Sequence, residues 1–396
     1  MQPDVLKENK RYHLGTMPMT HDGNSRNLFY FKNLKQINPF ISMVVLLIIM
    51  CGLVNLASID TSFFYKQLTF FVLSIPCAAV AVSINLRYVV KFAYILYLLS
   101  IAALAFVLVA GNATMGATRW IDVGFIKIQP SEIAKIAVIL SLSRYFHFVK
   151  TRYTQSILSS IVPLIIILSL TGLVLKQPDL GSGAVILMIG VCMIFISGLR
   201  MTYFIIAGVA VLVAIPVIWG KMHDYQKQRI LTFIDQDSDP RGTSYNIIQS
   251  KITIGSGGVF GKGFGNSSQA KLEFLPESHT DFAFTVFAEQ FGFVGVMFLM
   301  ILFMILVSYG YYAAYYAESH FCRLLSSGIS TLIFLHVAIN IAMVSGIVPV
   351  VGIPLPFISY GGTFLMINLC AFGLLLNLDI NKEMVIQNSS ETYAER

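Results

Sequence analysis

Apolar residues in this chain fall in long unbroken runs rather than in alternation. Runs of span length lie at roughly 39–58, 67–84, 89–110, 131–149, 157–175, 183–199, 202–220, 282–312, 323–347 and 362–378. The hydrocarbon core of a bilayer is about 30 Å thick and takes about 20 apolar residues of helix. A spanning β-barrel would show short alternating strands instead. The pattern therefore predicts an all-α integral membrane protein of about ten transmembrane helices. The eighth run is longer than one crossing needs: either Gly292 and Gly295 kink it or its start lies outside the membrane. The breaks between runs are short except for residues 221–281, a large polar loop between helices 7 and 8. Loops of that length are uncommon without a function. Within it, Tyr245 to Ile254 has helical apolar spacing and predicts a short surface helix. The chain divides into an N-terminal tail (1–38), a transmembrane domain (39–378) and a C-terminal tail (379–396).

Composition points the same way: 56% of residues are hydrophobic and 12% charged, against about 25% charged in soluble domains. The net charge of +7 would suggest nucleic acid in a soluble protein. Here the cations collect in short loops, at Arg87 and Lys91, Lys150 and Arg152, Arg200, and Arg323, whereas 348–361 has no charge. Cytoplasmic loops carry such an excess. Both termini are thus expected in the cytoplasm, with 221–281 outside and no nucleic-acid partner. The five cysteines form no CxxC pair and the histidines show no metal-ligand spacing. The polar start is too long and mixed for a signal peptide, so the first run is expected to be a retained span.

Four clusters fall on the expected outer side. The first joins Arg119 and Trp120 to Gln129-Pro130-Ser131-Glu132, with Lys135 one turn further on. Glu132 and Lys135 share a helix face, and such a pair inside a membrane either braces helices or serves chemistry. The second, Lys176-Gln177-Pro178-Asp179, puts Asp179 where it can cap the next helix. The third, Glu277-Ser278-His279-Thr280-Asp281, sets two carboxylates and an imidazole just before a span. Partial desolvation there raises a carboxylate's proton affinity, as a general base requires. If helical, the stretch would turn Glu277 and Asp281 the same way; the plainer alternative is that Asp281 caps the span. Glu289, two turns inside, is a further carboxylate that packing does not explain. The fourth, Gly352 to Gly362, is uncharged and rich in proline and glycine, which suits a re-entrant loop buried in protein. The glycine-rich segment 255–265 does not fit a phosphate loop, because Lys262 is followed by Gly263.

Together GATRW (116–120), QPSEIAK (129–135), KQPDLGSG (176–183), FLPESHTDFAF (274–284), AEQFGFVG (288–295) and GIPLPFISYGG (352–362) resemble, in order, the motifs of the SEDS family (shape, elongation, division and sporulation). Residues 223–263 are most similar to its elongation branch. The resemblance implies a peptidoglycan glycosyltransferase that polymerises lipid II, an undecaprenyl pyrophosphate bearing a disaccharide-pentapeptide, at the bacterial inner membrane. It implies a class B penicillin-binding protein and the elongation machinery as partners. It maps the family's essential acid onto Asp281 and its Glu–Lys pair onto Glu132 and Lys135. Ala283 and Gln290 depart from the common pattern, Gln290 removing an acid from the site. On this reading Asp281 is the base, supported by Glu132, Lys135, Arg119, Glu277, His279 and Asp179. Arg241, Lys262, Ser359 and Tyr360 are candidate substrate contacts. The leaving pyrophosphate needs cations: Arg119, Lys135, Arg241, Lys262, or a divalent ion such as Mg2+ or Mn2+. The competing readings are a lipid II flippase, a division-type polymerase and a non-catalytic scaffold. Transporters place their sites near the midplane, whereas these clusters gather at one face.

Overall fold

The structure, a computed structural model, describes residues 27–110, 113–114, 117–122, 124, 127–149, 157–221, 227, 231, 245–267 and 277–386. Long helices occupy all ten expected places: α1 (Pro39–Ile59), α2 (Thr61–Ser83), α3 (Leu86–Ala110), α4 (Pro130–Phe148), α5 (Ile161–Lys176), α6 (Leu180–Ile196), α7 (Met201–Lys221), α9 (Ala283–Tyr316), α10 (His320–Val344) and α11 (Gly362–Ile380). The short helix expected near 245–254 is α8 (Tyr245–Ser256). Six of these, α1, α2, α3, α9, α10 and α11, are long and apolar enough to cross a bilayer, and α5, α6 and most of α7 are shorter apolar helices. The chain is a multi-pass membrane protein. Between α3 and α4 lie two small antiparallel ribbons, β1 (Ala113–Thr114) with β2 (Ala117–Thr118), and β3 (Ile121–Asp122) with β4 (Lys127–Ile128).

The starts of α1 and α2 follow ordinary capping chemistry. Asn38 accepts from the Phe40 N–H with Pro39 at the first position of α1, and Asp60 accepts from the Ser62 N–H at the start of α2. Lipid removes the hydrophobic drive between helices, so close packing, helped by polar side chains that reach a neighbour's carbonyl, holds the bundle together. Asn55 on α1 donates to Ala283 O at 2.9 Å. Asn377 on α11 donates to Ala81 O at 3.0 Å and Ile84 O at 2.7 Å, at the end of α2. Helix α4 is the most enclosed: Glu132, Lys135, Ser141, Ser143 and His147 are all buried, and it packs on α3, α6 and α10.

Helix α9 breaks once, at Gly292 (φ 63°, ψ −164°). Gly295, the other expected kink, stays helical. Past the break the freed donors find the glycine-rich segment: Phe293 N–H donates to Gly258 O at 2.9 Å and Val294 N–H to Val259 O at 3.1 Å. The approach is tight enough that a Cβ on Gly292 would lie 2.2 Å from Gly261 N. That backbone conformation is essentially restricted to glycine. Gly292→Ala is therefore expected to destabilise the fold by about 1–3 kcal/mol or more, read as a lowered thermal midpoint of the purified protein. Gly208→Ala, in α7 with nothing within 4 Å of its Cβ position, is the control expected to cost less.

The loop Gly352–Gly361 is buried as its composition suggested. Ile353, Leu355, Phe357, Ile358 and Ser359 are enclosed. Two glycines on helices make room for it: a Cβ on Gly52 would meet Phe357 O at 2.5 Å, and one on Gly181 would meet Val351 O at 2.3 Å and Ile353 Cγ1 at 3.1 Å. Gly362, at the start of α11, lies against the Phe70 ring of α2.

Candidate functional site

The direction of the chain alternates from helix to helix, so the four polar clusters arrive at the same end of the bundle. Contacts between them bear this out. Gln129 Nε2 donates to Asp179 Oδ2 at 3.3 Å. Arg119 donates through Nε to Gln177 O at 3.3 Å and through Nη2 to Pro178 O. Thr363 Oγ1 donates to Lys127 O at 2.5 Å. Tyr360 N–H donates to His279 O at 2.8 Å.

The segment before α9 is not helical, contrary to the conditional expectation. Residues 277–282 form successive turns, with Glu277 at φ 53°. Thr280 and Phe282 N–H both donate to Glu277 O, at 3.1 and 3.3 Å, and Thr280 Oγ1 donates to Glu277 Oε2 at 2.7 Å. Glu277 thereby shapes the turn. The N-cap position of α9 is Phe282 rather than Asp281.

Around Asp281 the backbone is held from the buried loop. Asn340 Nδ2 donates both to Asp281 O at 2.9 Å and to Ile353 O at 2.7 Å. Ser359 Oγ donates to Thr280 O at 2.6 Å and accepts from Leu355 N–H at 2.8 Å. The Asp281 carboxylate lies over Gly352, where a Cβ would come within 3.2 Å of Oδ2. Ser359 is thus turned to the protein backbone rather than to a substrate. His279 stacks on Phe63, with centroids 4.2 Å apart and planes 10° apart, and lies beside the Tyr360 ring at 5.8 Å. Burial pushes the Tyr360 hydroxyl above its ordinary value.

Burial also holds the His279 imidazole below its ordinary value, with Glu277 pulling partly the other way. The unfolded chain then takes up this proton more readily than the folded one. His279 stabilises the fold fully above the unfolded value of about 6.5, and that contribution falls as pH drops from there toward the lower folded value. Acidification through pH 6 is expected to lower the thermal midpoint, and His279→Gln to flatten that part of the profile.

The pair expected from QPSE is present and buried. Lys135 Nζ lies 2.8 Å from Glu132 Oε1 and 2.9 Å from His336 Nε2, with the Phe364 ring stacked on the imidazole at 5.3 Å. His336, 1% exposed, was not expected from the sequence. Its partner is 201 positions away, and a lone histidine in an apolar run carries no spacing signal. Asp179 caps α6, accepting from Ser182 N–H at 3.2 Å. Lys262 does not project toward a substrate but pairs with Glu289 Oε1 at 2.7 Å, and Ser267 Oγ donates to Oε2 of the same carboxylate. This gives Glu289, fully buried, its structural reason. Gln290 holds Ser58 Oγ at 2.5 Å. Arg241 lies outside the described residues.

Among the described residues no three His, Cys, Asp or Glu side chains converge on a metal position. Two apolar grooves among the described residues share no residue with the Asp281 cluster. One, of about 500 Å³, lies between α1 and α9 beside Phe40, Ile305 and Tyr309; the other lies between α1, α2 and α11.

The chain is similar to known proteins over most of its length. Over 291 residues, 73% of this chain and 78% of the relative, it is 43% identical to the peptidoglycan glycosyltransferase MrdB of Escherichia coli K12. It is similar to a chain in the solved structure of a peptidoglycan synthase complex that coordinates polymerization and crosslinking. That match has a TM-score of 0.76 and 28% identity, and covers 87% of this chain and 98% of the other. The crystal structure of the rod shape determining protein RodA of Thermus thermophilus matches with a TM-score of 0.67 and 28% identity, covering 88% and 98%. The cell cycle protein model FtsW/RodA/SpoVE matches residues 30–384, and the chain belongs to that family.

Proposed function

We propose that this chain is an elongation-type peptidoglycan glycosyltransferase that polymerises lipid II at the outer surface of the bacterial inner membrane. One observation carries the reading: the Asp281 backbone is pinned by Asn340 to a buried loop at the bundle end where the family's polar motifs gather. A base fixed in this way can be aimed at a hydroxyl. Asp281 takes the proton from the C4 hydroxyl of the acceptor's N-acetylglucosamine as that oxygen attacks C1 of the donor's N-acetylmuramic acid. The C1–O bond to undecaprenyl pyrophosphate breaks in the same displacement, and the anomeric centre inverts once. Arg119 spends two of its five N–H donors on the Gln177 and Pro178 carbonyls. The rest are available to the pyrophosphate as its charge develops.

The relative called MrdB and the RodA structure support the elongation role over the division role. The synthase complex supports a cross-linking class B penicillin-binding partner. The test is the purified protein with its transpeptidase partner in proteoliposomes containing labelled lipid II. Glycan strands lengthening with time support the proposal. Movement of lipid II between leaflets without any polymer supports a flippase.

A further inference from the structure

We propose that His336 and Asn340, one turn apart on α10, are positioning residues that tie the Asp281 turn and the buried 353–360 loop to the Glu132–Lys135 pair. The inference rests on the glycosyltransferase reading and adds two residues to it.

The hydrogen bonds form a directed chain. Lysine has only donors, so at 2.9 Å from Lys135 Nζ the His336 Nε2 must be the acceptor. The ring proton then sits on Nδ1, which faces Pro354 O at 3.3 Å. One neutral tautomer thus joins the ion pair to the loop. A turn later on the same helix face, Asn340 Nδ2 bridges the next carbonyl of that loop, Ile353 O, to Asp281 O. The loop then reaches the turn twice more, through Ser359 to Thr280 and Tyr360 to His279. Successive residues 279, 280 and 281 are each held by backbone, and each hold runs through the 353–360 loop or through Asn340, which anchors it. Both donors are enclosed: His336 is 1% exposed and Asn340 0%. Neither reaches the carboxylate, so neither is a catalytic group. Their effect is on where that carboxylate points.

Misplacing a reacting group by about 1 Å costs about a hundredfold in rate. His336→Leu and Asn340→Leu are therefore each expected to lower kcat by about a hundredfold while KM for lipid II stays within about threefold. His336→Gln, whose amide offers Lys135 an acceptor, should recover most of the loss. The double variant should be no slower than the worse single one, because both cut one chain, whereas independent sites would multiply toward ten-thousandfold. The assay is lipid II polymerisation by the full chain with its transpeptidase partner, with thermal midpoints run alongside. If His336→Leu does not fold, Asn340→Asp supplies an isosteric loss of the donor, expected to give the same kcat loss.

Multiplicative losses, losses carried by KM alone, or unchanged kcat in Asn340→Asp would each overturn the inference. A wild-type sample that makes no glycan would instead overturn the glycosyltransferase reading, so the two failures are told apart.

Discussion

Asp281→Asn is expected to abolish glycan polymerisation and leave the protein folded. The amide has nearly the carboxylate's shape, but it cannot take the proton of a sugar hydroxyl. General-base assistance is worth about a hundred- to ten-thousandfold in rate, so polymer formation should fall by that factor. The Asn340 contact that holds residue 281 runs to its backbone carbonyl, and so survives the exchange. The thermal midpoint and lipid II binding should stay near wild type. Time-resolved polymerisation of labelled lipid II, with binding measured on the same sample, checks both halves. A variant polymerising at wild-type speed removes Asp281 from the chemistry.

Lys135→Met should produce the largest loss of stability. It leaves Glu132 charged and enclosed, with side-chain exposures of 3% and 6% for the two partners. Removing one partner of such a pair costs about 3–5 kcal/mol, whereas replacing both with apolar groups of similar size is often neutral or stabilising. Glu132→Met combined with Lys135→Met is therefore expected to regain much of the thermal midpoint. It should not regain activity, because Nζ also supports His336. Unfolding curves for the single and double variants in one detergent check the stability half, and polymerisation by the double variant checks the other. Recovery of both would show that the pair only braces the helices.

Much of the architecture was legible because helix periods and span lengths are properties of local sequence. All ten long helices begin and end near the limits set by the apolar runs, and α8 is where Tyr245 to Ile254 pointed. The choice between Gly292 and Gly295 was not legible, because it depends on which of them meets Gly261. The site was legible in its members but not in its connections. Asp281, Glu132 and Lys135 stand out by being charged beside lipid. His336 and Asn340 gain their meaning from partners far along the chain, and Ser359 and Lys262 turn to internal partners that no spacing announces.

Helix α4 has a consequence for how the protein is made. Alone among the long helices it falls outside both the strongly apolar set and the shorter apolar set, and it carries Glu132, Lys135 and Arg144. Charged residues cost free energy during insertion from the translocon, up to about 3 kcal/mol each at a helix centre and less toward its ends. Helix α4 is therefore poorly suited to partition into lipid alone as it leaves the ribosome. Its neighbour α3, already emerged, offers partners at once: Arg144 donates to Lys91 O at 2.6 Å and lies over the Tyr94 ring. His336 emerges two hundred residues later. Arg144 thus finds its partners on a helix that precedes it in the chain, whereas the ion pair can meet its imidazole only after α10 has been synthesised.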